Sequence, residues 1–126
     1  MIVGTGVDIA EVGRIKAAIK RFGERFLKRV FTPAEAHYCL GKPNAAERLA
    51  ARFAAKEAGM KAIGTGLRFG ITWHDLEVVR LPGQRPILKF SGKAAEFATR
   101  LGCKRTHLSL SHTADQAIAH VILESD

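Results

Sequence analysis

The sequence predicts an α+β fold, a mainly antiparallel sheet with packed helices. Three observations carry that prediction. The chain opens on a β-branched run, Ile2 to Ile9. A long segment, Asn44 to Ile63, repeats apolar residues at helical spacing. The second half separates strand-like runs by turns and one helix, and closes on two such runs, Thr106 to His112 and Gln116 to Leu123. Strands and helices grouped in this way favour α+β over an alternating parallel fold. The length of 126 residues fits one domain over 1–126. Folding at this size buries roughly two-thirds of the unfolded surface.

Taken in order, Ile2 to Ile9 reads as a strand broken by Gly4 and Gly6. Val3, Val7 and Ile9 share one face. Asp8 shares the other with the two glycines, which leave room for a ligand or another backbone. Glu11 to Arg21 reads as a helix with Val12, Ile15 and Ile19 inward. Gly23 interrupts it, and Phe26, Leu27 and Val30 continue a short apolar surface. Thr32-Pro33-Ala34-Glu35 is a capping box with proline at the first helical position, opening a short helix to Leu40. Gly41-Lys42-Pro43 ends it, and Gly64-Thr65-Gly66 ends the long helix. Ile71 to Leu81 and Pro86 to Phe90 read as strands around a Pro82-Gly83 turn. Gly92 to Leu101 reads as a helix before the final hairpin. The expected order is β-α-α-α-β-β-α-β-β.

Hydrophobic content of 47% and charged content of 25% are ordinary for a soluble globular protein. No apolar run approaches the ~20 residues of a membrane span. The N-terminus has no basic region before its apolar residues and does not read as a signal peptide. Cys39 and Cys103 are isolated and read as reduced thiols of a cytoplasmic protein. Twenty Lys and Arg against twelve Asp and Glu leave a net charge of +8, which favours an anionic partner. The excess is concentrated in Arg14, Lys16, Lys20, Arg21, Arg25, Lys28 and Arg29, interrupted by Glu24 alone.

The chemistry starts from the long helix. Leu49, Phe53, Met60 and Ile63 form an apolar stripe whose missing member falls at Lys56 or Glu57. Glu57 is read as the acid in that stripe, and a charge facing a core needs a partner or a metal. Asp8, at the end of the first strand, supplies a second hard oxygen ligand. Mg²⁺ takes one or two carboxylates and completes its shell with water and substrate phosphates. Lys61, four residues after Glu57, and Arg52 could hold phosphate oxygens, and Gly64-Thr65-Gly66 could bring backbone N–H groups to one. Plainer roles fit the same residues. Asp8 can be a strand-end cap, Glu57 and Lys61 a surface i,i+4 pair, and the glycine turn a C-cap. His107, Ser109 and Ser111 share one strand face, and no nucleophile elbow accompanies them.

Three segments narrow these readings: GTGVDIAEVGRI at 4–15, RFAAKEAGMKAIGTG at 52–66 and LSLSHT at 108–113. In this order and spacing the chain resembles the holo-[acyl-carrier-protein] synthases, the short, single-repeat type of 4′-phosphopantetheinyl transferase, over nearly its whole length. The resemblance implies that family's fold and reaction. The phosphopantetheine arm of coenzyme A moves to a serine of apo acyl carrier protein, with Mg²⁺, releasing adenosine 3′,5′-bisphosphate. It implies Asp8 and Glu57 as metal ligands and Lys61 as the lysine at the diphosphate, these three forming the catalytic set. It implies coenzyme A contacts at Arg52, Lys61, Gly64, Thr65, Pro86 and His107. The serine proton would leave through Glu57 or a metal-bound water. The family is typically a homotrimer with sites between subunits. Acyl carrier proteins are acidic, so Arg14, Arg21, Arg25 and Lys28 are expected to dock one, with Glu24 interrupting. Neither nucleic acid nor membrane is expected as partner. Two other classes fit the charge alone: a small basic nucleic-acid-binding module and a non-catalytic adaptor for acidic proteins. The first lacks an aromatic stacking platform, and the second has no use for buried acids.

Overall fold

The computed structural model describes residues 1–126. Its elements are β1 (Ile2–Glu11), α1 (Val12–Phe22), α2 (Glu24–Val30), α3 (Pro33–Leu40), α4 (Ala45–Ala62), β2 (Leu76–Val79), β3 (Ile87–Phe90), α5 (Gly92–Arg100), β4 (Arg105–His112) and β5 (Gln116–Glu124). A 3-10 turn, Trp73–Asp75, precedes β2. The α+β class and the antiparallel pairing are as expected. One helix more than expected, α2, stands between Gly23 and Phe31. Gly23 has a positive φ of 57°, which turns the chain between α1 and α2.

α4 is the axis of the molecule. The three-stranded sheet, in order β1-β5-β4, packs on one flank. The β2–β3 hairpin packs on the other, where Leu76 and Leu88 close on Gly59 so tightly that a Cβ there would overlap both. Eleven of the eighteen residues of α4 are buried, six of them alanines. Small side chains let strands and helices approach α4 from several sides at once, and a helix buried most of the way round has no clear apolar edge. Leu49, Met60 and Ile63 of the expected stripe are buried, and Phe53 is half-buried.

The charge that enters the core is Lys56, not Glu57. Lys56 and Glu35 are both fully buried, with Lys56 Nζ donating to Glu35 Oε1 at 2.6 Å and to the Trp73 carbonyl at 3.1 Å. Glu35 is the acid of the Thr32 capping box. Its Oε1 also accepts from Thr32 N at 2.8 Å, and its Oε2 from Val78 N at 2.7 Å. Burial lowers the Lys56 pKa, and Glu35 opposes that shift.

Segment 71–75 is not the start of a strand. Thr72 and Asp75 cap each other, the Thr72 hydroxyl donating to Asp75 Oδ1 at 3.0 Å, and this closes the 3-10 turn before the ladder begins. β2 then pairs with β3 from Leu76↔Phe90 to Val79↔Ile87.

The three-stranded sheet has one face on α4 and one face bare. Its bare face is built of cross-strand rows: Thr5, Ile122 and His107; Val7, His120 and Ser109; Ile9, Ile118 and Ser111. Val7, Ile9 and Ile118 are 51%, 58% and 41% exposed, so an apolar patch lies open there. No helix is long and apolar enough to cross a membrane.

Candidate active site

The site forms where β1 runs against α4. Gly4 and Gly6 face the helix. A Cβ at either position would collide with its backbone, at the Ala62 carbonyl for Gly4 and the Ala58 carbonyl for Gly6. The room these glycines leave is taken by main chain. Asp8 follows on the same face, and its side chain is 17% exposed.

Glu57 and Lys61 come from α4 at i,i+4 and meet Asp8 at this seam. Lys61 Nζ donates to Asp8 Oδ1 at 2.9 Å and to the Val7 carbonyl at 3.0 Å. That hydrogen bond raises the Lys61 pKa, so the ammonium stays charged. Glu57 is half-buried. Burial, and after it the charge of Asp8, push its carboxyl above the usual range, while Lys61 pulls it down. Lys61 therefore neutralises one of two neighbouring carboxylates and only partly offsets the other. A cation held by both acids would relieve that repulsion. Glu57 and Asp8 are hard oxygen donors of the kind Mg²⁺ takes, and with two acids most of the shell is left to water and substrate. The residues present fit such an ion.

The family model for the 4′-phosphopantetheinyl transferase superfamily matches residues 4–121. The chain belongs to that superfamily. A holo-[acyl-carrier-protein] synthase of Koribacter versatilis is 64% identical over 124 residues, 98% of this chain and 99% of that protein. The fold is shared with solved structures. The holo-[acyl-carrier-protein] synthase of Neisseria meningitidis gives a TM-score of 0.87 at 34% identity, covering 99% of this chain and 100% of that one. That of Bacillus anthracis, in complex with CoA (3′,5′-ADP), gives 0.80 at 37% identity, covering 100% and 99%.

Within one transferase chain the other expected contacts do not gather at the seam. Arg52 lies on α4 but not beside Glu57, because five residues turn a helix by about 140° beyond a full turn. It is 4% exposed and lies 4.6 Å from the Tyr38 ring of α3. Its Nε is buried without a hydrogen-bond partner. Lys42 and Arg48 approach the same ring at 5.1 and 5.8 Å. Gly64 has φ 79° and caps α4. The amides of Gly64, Thr65 and Gly66 go to the carbonyls of Lys61 and Met60, and the Thr65 hydroxyl goes to Gly66. The glycine turn is thus a C-cap with its amides occupied. Pro86 precedes β3. His107 lies on the bare sheet face, opposite to Asp8, with Nε2 3.0 Å from Glu124 Oε1. Arg105 holds the same oxygen at 3.0 Å, and the hydrogen bonds from His107 and Arg105 bring the Glu124 pKa down to about 2.

The basic surface spans α1 and α2. Arg14 lies beside Glu11 at 3.8 Å, Arg21 over the Phe22 ring at 5.2 Å, and Lys28 beside Glu24 at 3.4 Å. Arg25 and Arg29 rim a cavity of about 410 Å³ with Phe22, Phe26, Phe53 and Trp73. This cavity escapes a linear reading. Its sequence signals are Phe26 among the bases and Phe53 one turn before Glu57, and Trp73 reaches it only through the 3-10 turn, stacked on Phe53 at 5.0 Å.

Proposed function

We propose that residues 1–126 act as one transferase domain that moves the 4′-phosphopantetheine arm of coenzyme A to a serine of apo acyl carrier protein. The observation that carries the reading is the seam itself: two carboxylates, Asp8 and Glu57, beside one fixed ammonium, Lys61. The serine oxygen forms a bond to the phosphorus next to pantetheine. The bond from that phosphorus to the bridging oxygen breaks, and adenosine 3′,5′-bisphosphate leaves. Asp8 and Glu57 would hold Mg²⁺, which when bound would supply Lewis-acid neutralisation of the diphosphate. Lys61 stabilises charge on the departing phosphate. The serine proton would leave through Glu57 or through water.

The contacts expected at Arg52 and His107 support a site shared between subunits of a homotrimer, since in one chain they stand apart from the acids; Pro86 would join it from just before β3. The open apolar patch of Val7, Ile9 and Ile118 supports the same assembly. The Arg52 guanidinium, stacked on Tyr38 with no ion pair, would suit a phosphate of coenzyme A. Gly64 and Thr65 would border the diphosphate beside Lys61 without donating free amides. Arg14, Arg21, Arg25 and Lys28 would dock the acidic carrier. The place of action would be the cytoplasm. Intact mass of an apo carrier protein after incubation with coenzyme A and Mg²⁺ tests the reading. A gain of one phosphopantetheine is expected, and an unchanged mass overturns it.

A further inference from the structure

The proposed chemistry leaves one buried charged group unused. Lys56 stands next to Glu57 in sequence but points the other way, into the core. Its ammonium reaches the Trp73 carbonyl and lies 5.8 Å from the Phe31 ring. Its partner Glu35 takes Val78 N. Between them the two side chains hold the segment from Trp73 to Val78 near both ends. That segment in turn meets α2. His74 Nε2 is 2.6 Å from the Lys28 carbonyl, and Trp73 lines the cavity that Phe26, Arg25 and Arg29 complete. α2 buries only Val30 fully, with Phe26 and Leu27 partly buried against the core, so its position depends on what packs around it. Its packing partners are α1 and the 3-10 turn.

We infer that Lys56 and Glu35 are positioning residues for α2, acting through Trp73, His74 and Phe31, and that they set the geometry of carrier-protein docking rather than of phosphoryl transfer. Lys56 clamps the turn that α2 leans on, and Phe31 closes the same contact at the helix's C-terminal end. The ammonium and carboxylate satisfy backbone groups that an apolar pair would leave unmade. The functional half of this inference rests on the proposed docking of the carrier on α1 and α2.

The test uses Lys56→Met combined with Glu35→Gln, which leaves neither charge buried alone. His74→Ala, at an exposed position, is the second variant and cuts the link to α2 without entering the core. Amide hydrogen exchange is read along the chain, and KM is measured separately for apo carrier protein and for coenzyme A. In the double variant, exchange at residues 24–31 is expected to rise at least tenfold above any rise in α4. KM for the carrier rises at least fivefold, while KM for coenzyme A and kcat at saturating carrier stay within twofold. His74→Ala moves the carrier KM the same way by less. A uniform rise in exchange, or unchanged exchange in α2 with both variants, overturns the positioning role. Arg25→Glu runs beside them: if it alone raises the carrier KM while the other variants do not, docking stands and the inference fails. If Arg25→Glu has no effect either, the docking reading fails, and exchange in α2 still decides the positioning role.

Discussion

Lys61 donates to Asp8 at 2.9 Å across the seam between α4 and β1, and Glu57 faces the same carboxylate with no ion pair of its own. The lysine is thus the resident counter-charge of one acid, and the other is left without one.

Asp8→Asn, Glu57→Gln and Lys61→Met are each expected to lower kcat by about a hundredfold or more, the scale of losing one electrostatic contact to the reacting group. Release of adenosine 3′,5′-bisphosphate from coenzyme A and an apo carrier measures it. Rates unchanged in both carboxamide variants would remove the site from the seam.

Glu57→Gln should stabilise the protein while inactivating it. The folded-state pKa of Glu57 is raised, so its charge opposes folding. The penalty is absent below the unfolded carboxyl range, grows as pH rises through the raised folded value, and is complete above it. Thermal unfolding without divalent ions should show a higher Tm for the variant at pH 7 and no difference near pH 4. A gain in Tm independent of pH would contradict the electrostatic cause.

The exposed pair of Glu24 and Lys28 occupies one of the charges proposed to dock the carrier. Exposed pairs are worth about 0–1 kcal/mol, so Glu24→Gln should lower the carrier KM by roughly twofold. Arg25→Glu should raise it by about tenfold or more, an effect that shrinks as salt increases. Steady-state kinetics at two ionic strengths reads both. A salt-independent carrier KM would remove charge from the docking account.

Ile9→Asp puts a carboxylate in the open sheet patch beside Ile118. The variant should sediment as a monomer, keep its far-ultraviolet circular dichroism and lose transfer activity. A monomeric variant with full activity would show that one chain carries a complete site.

Gly6→Ala drives a methyl into the Ala58 carbonyl. Overpacking of this kind costs about 1–3 kcal/mol, more where backbone must move. Denaturant titration should show that loss, whereas the same change at Gly13, with open space around it, should cost far less.

Local chemistry was legible where it acts within a few residues. The capping box at Thr32 and Glu35 set the start of α3, and the Pro33–Leu40 bounds match the expectation. The strand face shared by Gly4, Gly6 and Asp8 was legible from alternation, but the ion pair was not: Lys61 pairs with Asp8 across the seam rather than with Glu57 one turn before it. Periodicity failed at Lys56 because α4 is buried on most sides, and two adjacent positions can then face different neighbours with equal claim to the core. The partner that decides the matter, Glu35, is 21 residues away and comes into view only with the fold. α2 escapes periodicity because its seven residues span barely two turns and carry only three apolar side chains, Phe26, Leu27 and Val30. Arg52 was placed with Glu57 on proximity in sequence, and the helical angle separates them.

The contact of Gly6 with Ala58 fixes how the two acids are carried. Asp8 and Glu57 ride on two backbones already touching, with no intervening side chain to compress or yield. The separation of the two main chains is therefore fixed, and only side-chain rotation can bring the carboxylates closer or move them apart. A replacement at Gly6 would then move Asp8 relative to Glu57 without touching either carboxylate.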